Sequence, residues 1–165
     1  MTAPTTPKAR KAPTAPQRRA LLAALAHPKG RVPGHFTARV LGALETARWV
    51  TEVTTEGHAA AGARWAGYIG HTFWVINSRG RRALLTDAGH TALYGADDNG
   101  RLPGGTTWST ARALHRDGLV EYRDANKTVQ PNDGDTGASK PLYAPYVTEL
   151  GRRLTSGFPQ ARRTA

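Results

Sequence analysis

The chain has 165 residues, enough for one ordinary domain or two very small ones sharing a core, and too few for a large enzyme with a separate cofactor domain. Lysine plus arginine number 23 against 12 acidic residues, a formal net charge of +11, so polyanions are drawn to the surface before contact is made. With no cysteine, disulfide frameworks, thiolate zinc sites and cysteine nucleophiles are excluded.

Eighteen of the 23 basic residues are arginine, whose planar fork grips phosphate or a guanine edge bidentately. A chain written in arginine, alanine, glycine and proline also reflects GC-rich coding, which halves the weight of that bias. There is no apolar secretory h-region behind the N-terminus and no run of membrane-spanning length, so the expected setting is the cytoplasm, in association with the nucleoid.

In chain order, residues 1–16 carry Pro4, Pro7, Pro13 and Pro16 among Lys8, Arg10 and Lys11, and read as a disordered basic arm. Residues 17–27 place Leu21, Leu22 and Leu25 at helical spacing, and Pro28 ends that helix. A Gly-Arg-Val-Pro-Gly turn (30–34) leads to a helix over 37–48 with an apolar face of Val40, Leu41, Leu44 and Ala47, then a strand over 49–53. A glycine-bearing loop (54–67) precedes the strand Phe73-Trp74-Val75-Ile76, and further helix is expected within 77–94.

Sliding the chain against itself by 70 residues repeats this order. Gly30-Arg31-Val32-Pro33-Gly34 falls on Gly100-Arg101-Leu102-Pro103-Gly104, Thr37 on Thr107, Ala43-Leu44 on Ala113-Leu114, and Val50 on Val120. Eight of 24 positions coincide, where random pairing would give roughly two. With one inserted residue, Gly80-Arg81-Arg82 then meets Gly151-Arg152-Arg153. The second copy reads as a helix over 107–117, a strand over 119–122, a polar loop over 124–141 and a strand over 143–147. The expected division is therefore a unit over 17–84, a second over 85–155 and a flexible tail over 156–165.

The runs Ala111-Arg112-Ala113-Leu114-His115-Arg116-Asp117-Gly118-Leu119-Val120 and Tyr146-Val147-Thr148-Glu149-Leu150-Gly151-Arg152-Arg153-Leu154 resemble the recognition-helix end and the post-wing segment of winged-helix regulators of the MarR and PadR type. The resemblance covers most of 17–154 in two copies, with room for one good helix where those families have two before the wing. It implies a mainly helical α+β fold of two tandem winged-helix-like units, each with a β-hairpin wing. It also implies that the helix before each wing enters the major groove of DNA.

By position the candidate DNA contacts are His35, Thr37 and Arg39 in the first unit and Thr107, Ser109, Arg112, His115 and Arg116 in the second. Arg112 and Arg116, four residues apart, are expected to project from one face, Arg112 toward a base edge and Arg116 toward phosphate. Arg31 and Arg101 are candidates for a phosphate clamp ahead of a helix, although arginine covering the core with its aliphatic stem explains them slightly better. Arg81, Arg82, Arg152 and Arg153 are placed to flank a DNA backbone. Glu45 stands where the second unit has His115 and is expected to repel phosphate.

The second loop carries Asp124, Asp133 and Asp135, a poor probe for a minor groove that suits a mobile segment or a protein contact. Trp49, Trp65, Trp74 and Trp108 are scattered and read as core. Asp135-Thr136-Gly137-Ala138-Ser139 matches the short aspartic-protease signature, but its flanks are polar and no second copy exists. No histidine pair has helical metal-ligand spacing, and no phosphate-binding glycine loop is present. The expectation is a non-enzymatic protein without cofactor or metal, whose partner is double-stranded DNA. The rivals are a protein-interaction adaptor that self-associates or binds a protein partner, and an RNA or single-strand binder, which the scattered aromatics disfavour.

Overall fold

The computed structural model describes residues 12–137 and 141–157. The architecture is α+β, with seven helices and two small antiparallel sheets among the described residues. The helices are α1 (Ala15–Ala26), α2 (Ala38–Thr46), α3 (Ala60–Trp65), α4 (Ser78–Ala83), α5 (Asp87–Tyr94), α6 (Trp108–Arg116) and α7 (Glu149–Ser156). Strands β1 (Val50–Thr54) and β2 (Thr72–Ile76) form one hairpin, and β3 (Val120–Arg123) lies between β4 (Val129–Gln130) and β5 (Ala144–Val147) in the other sheet.

Local chemistry explains most boundaries. Thr37, Asn77, Thr86, Thr107 and Thr148 each place a side-chain oxygen on the backbone N–H three residues on, at 3.0–3.4 Å, and so start α2, α4, α5, α6 and α7. Thr86 also explains why the segment after β2 holds two short helices, with Leu84 and Leu85 buried at the break between them.

Helix α1 begins at Ala15, inside the segment expected to be a disordered arm. Proline is tolerated in a first helical turn, and the Thr14 N–H donates to Gln17 Oε1 at 2.8 Å. Arm residues 1–11 and tail residues 158–165 lie outside the described residues.

The shift of 70 recurs as hydrogen bonds. Trp49 N–H donates to the Leu44 carbonyl and Leu119 N–H to the Leu114 carbonyl, both at 3.0 Å. Val32 N–H reaches the Trp74 carbonyl at 2.8 Å and Leu102 N–H the Pro145 carbonyl at 3.0 Å, a shift of 71 on the acceptor side. Ile76 N–H donates to Gly30 and Val147 N–H to Gly100, at 2.9 and 2.7 Å. Leu44 and Leu114 are both buried, as are Val50 and Val120. The turn glycines Gly30 and Gly100 both hold positive φ, 68° and 81°, which only glycine adopts without strain.

The two loops differ from each other and from expectation. The alanine-rich first loop folds a short helix, α3, as alanine's propensity favours. The second turns tightly at Asp124, whose carboxylate accepts from Asn126 N–H at 2.8 Å and Thr128 N–H at 2.9 Å, and so returns a third strand, β4.

One apolar cluster serves both halves: Leu21, Leu25, Leu44 and Trp49 are continuous with Leu93, Leu114, Leu119 and Leu154. Helix α7 packs on α1, α4 and α5, and Arg153 donates to the Ala26 carbonyl at 3.0 Å. Each half is also locked by a glycine pressed against a backbone carbonyl. A Cβ built at Gly80 or at Gly151 would lie closer than 3.0 Å to the carbonyl oxygen of Trp49 or Leu119, respectively. Gly80→Ala and Gly151→Ala are therefore expected to destabilise the fold by similar amounts, about 2–3 kcal/mol or more. Urea unfolding with the midpoint compared to wild type checks this.

Candidate nucleic-acid interface

Helices α2 and α6 each follow a capped turn and run into a strand, with Leu44 and Leu114 inward. On α2 the exposed face carries Ala38, Arg39, Gly42, Glu45 and Thr46. Thr37 is spent as the cap, and the His35 ring lies 4.4 Å from that of Phe36. Arg39 is exposed and enters no ion pair among the described residues.

On α6 the picture is different. The acidic loop, expected to be mobile or to meet a protein, folds back onto the helix. Arg112 Nε donates to Asp133 Oδ2 at 2.6 Å, and its Nη2 is paired with Asp135. Asp133 is 6 % exposed, and its other oxygen accepts from the Asp135 N–H at 3.2 Å. The guanidinium also lies 5.6 Å from the Trp108 ring centroid. The expectation that Arg112 projects free beside Arg116 is therefore corrected: two carboxylates outcompete solvent for the fork, because bidentate charge-assisted pairing is the strongest arrangement open to it.

The backbone N–H of Gly137 and then Arg112 hold the Asp135 carboxyl below its ordinary value. A depressed carboxylate stabilises the fold above its unfolded pKa, about 4, and that contribution is lost as pH falls through the lower folded value. Behind the pair, the Tyr122 hydroxyl is buried without a hydrogen-bond partner among the described residues. Burial, then the charge of Asp133, push its pKa up. His115 lies with its ring 4.8 Å from that of Tyr122, half-buried, so its exposure is less than its helical position suggested.

The remaining candidates divide. Arg31 is half-buried with its guanidinium carbon 3.8 Å from the Phe73 ring centroid, the stem-and-stack arrangement rather than a phosphate clamp. Arg101 is exposed in the matching turn. Arg153 is occupied by Glu149 and the Ala26 carbonyl, whereas Arg152 is exposed on α7. Thr107 is the cap of α6, its hydroxyl 3.1 Å from that of Ser109. Arg116 is exposed, and with Thr110, Ala113 and Asp117 it lines a groove of about 1500 Å³ between the two halves.

That groove contains Arg18 and Arg79, which the sequence reading did not single out, and Arg82, which it placed beside a DNA backbone. Arg18 of α1 crosses it to Asp117, with Nε 3.2 Å from Oδ1 and Nη2 2.9 Å from the Leu84 carbonyl. Arg82 pairs with Asp87, and Arg79 is exposed. The helical spacing of Arg79 and Arg82 was available in the sequence, but which side of α4 the second half covers was not.

Trp65 corrects the reading of the tryptophans as core. Trp49 is buried, and Trp74 and Trp108 are half-buried, but Trp65 is 95 % exposed on the first loop, beside Ile69 at 100 %. The sequence cannot separate a tryptophan under the sheet from one at a loop tip when alanines surround it. No group of three or more potential metal ligands gathers among the described residues, and no helix there is long and apolar enough to cross a membrane.

Arg112→Ala strands the buried Asp133 carboxylate and is expected to lower the melting temperature. Removing both partners in Arg112→Ala/Asp133→Ala is expected to recover part of that loss, because no buried charge is left unpaired. Thermal melts of the two variants and of Asp133→Ala alone, read as a double-mutant cycle, check it.

Compared with known protein families, curated proteins and solved structures, the chain finds no match.

Proposed function

We propose that the chain is a sequence-selective double-stranded DNA-binding protein built as two tandem winged-helix-like units, acting in transcriptional control or in the maintenance of a mobile element. The observation that carries this reading is the state of the arginines. Arg39, Arg48, Arg79, Arg101 and Arg116 are exposed and enter no ion pair among the described residues. Unpaired guanidinium groups repel one another on a free surface and are repaid when a phosphate chain releases its counterions.

The repeated hydrogen bonds support two copies of one unit, and the capped helix before each hairpin sits where the resembling families place their reading helix. Because Arg112 is held by its own loop, Arg39 near the start of α2 becomes the better candidate for a base edge.

A second reading, a protein-interaction adaptor, is favoured by one observation, the exposed Trp65 and Ile69 between β1 and β2. The two separate on salt. Duplex binding is expected to weaken steeply between two ionic strengths, with a log–log slope near −0.9 per phosphate neutralised. Arg39→Ala is expected to cost about 1–3 kcal/mol on a selected site and to relax base preference there. Selection from a random duplex library, then titration of wild type and Arg39→Ala on matched and scrambled duplexes, measures both. Absence of duplex binding in dilute buffer overturns the DNA reading in favour of the adaptor.

A further inference from the structure

Arg48 is a non-glycine residue at φ 57°. It follows α2, and the position matching it in the second half, 70 residues on, is Gly118 at φ 73°. The two residues make the same backbone hydrogen bond: Arg48 N–H donates to the Glu45 carbonyl at 2.7 Å and Gly118 N–H to the His115 carbonyl at 2.9 Å. The scaffold thus asks for a left-handed residue at both places, where an L side chain is strained and glycine is not. One half meets the demand with glycine, the other carries an exposed arginine there. Strain of this kind persists where the surrounding structure over-determines it, and it clusters at functional sites.

The surroundings indicate what the use is. Arg48 and Arg79 line one shallow groove, together with Thr51, Trp74 and Asn77. Arg79 also lines the larger groove between the halves, as does Arg116. Three exposed arginines are therefore linked through two grooves that share Arg79. The carboxylates along this path are mostly engaged: Asp117 by Arg18, Asp87 by Arg82 and Glu52 by Arg64 and Thr72. Glu45 is the exception among the described residues, and it flanks Arg48. Pairing thus leaves a line of positive charge, in grooves, that spans both halves.

We infer that Arg48, Arg79 and Arg116 form a track for one sugar-phosphate strand of duplex DNA, running across the junction between the two halves. The inference rests on the DNA-binding reading above and adds the surface to which the backbone is held. Ala47 and Trp49 at the end of α2, and Ala113, Leu114, Arg116 and Asp117 at the end of α6, border the larger groove, while Arg48 lines the shallow groove that Arg79 joins to it. A strand lying in it touches both halves at once and fixes their joint register on the duplex, without reading bases.

The test turns on effects of opposite sign. Arg48→Gly relieves the left-handed strain and is expected to raise the melting temperature while weakening duplex binding several-fold. Arg79→Ala and Arg116→Ala are expected to weaken all duplexes alike, matched or scrambled. Each of the three substitutions flattens the salt slope by about 0.9, and together they flatten it by roughly three times that. Glu45→Ala is expected to strengthen binding. The probe is a random-sequence duplex of about two helical turns, titrated into the full chain by fluorescence anisotropy at several salt concentrations. If wild type binds with a steep salt slope and the triple variant keeps both its affinity and that slope, the track is wrong and the DNA reading stands. If wild type does not bind the duplex in dilute buffer, both fall. If Arg48→Gly weakens binding but also lowers the melting temperature, the strain argument fails and Arg48 loses its place in the track.

Discussion

The junction between the halves is fastened by guanidinium groups, Arg153 on the Ala26 carbonyl and Arg18 on Asp117. Arg18 stands in the first turn of α1, where the helix dipole disfavours a cation, and Asp117 closes the end of α6, where it disfavours an anion. Each charge is misplaced on its own helix. Together they bring the positive end of one dipole to the negative end of the other, and Nη2, which also meets Asp117, donates to the Leu84 carbonyl at the break between α4 and α5. Asp117 is largely buried, so the pair holds only while both members are present. Arg18, Leu84 and Asp117 line the larger groove together with Arg79 and Arg116, and the common apolar cluster lies beneath it.

At several positions related by the shift of 70 the backbone hydrogen bonds match while the side chains differ. Position 42 is glycine on an open face, and its counterpart Arg112 is drawn into the loop's carboxylates. Position 48 is arginine in a conformation made for glycine, and its counterpart is Gly118. His27 and Asp97 do the same work with different chemistry: Nδ1 of one and Oδ1 of the other each accept backbone N–H groups two and four residues ahead. Main-chain geometry is shared, while the charge carried on it is redistributed. The second half keeps its helix closed, and the first half keeps its own open.

Much of this was legible in the sequence, for reasons that can be named. The repeat showed because its strictest requirements fall on glycine and on capping threonines, residue types that backbone geometry selects directly: Gly30 and Gly100, Gly80 and Gly151, Thr37 and Thr107. The inward leucines showed because helical periodicity marks them. The closure of Arg112 did not show, because its partners lie 21 and 23 residues away on a loop whose path no local pattern specifies. The start of α1 was hidden by prolines that read as disorder, although Thr14 and Gln17 spelled the cap. The proposed track was hidden because Arg48, Arg79 and Arg116 belong to three separate helix ends, and only the tertiary fold lets Arg79 share a groove with each of the other two.

The contact of α7 with α1 also sets an order of events for the chain as it is made. Leu21 and Leu25 of the first helix find part of their cover from Leu154, more than a hundred residues later, and Arg153 meets the Ala26 carbonyl across the same span. A ribosome that has released the first hairpin has produced a half whose apolar face still lacks its lid. Contacts so distant along the chain slow folding and leave that face open to wrong partners in the interval. The first half must therefore wait for the last helix, and a chain truncated before α7 gives up the cover of its first helix along with its own end.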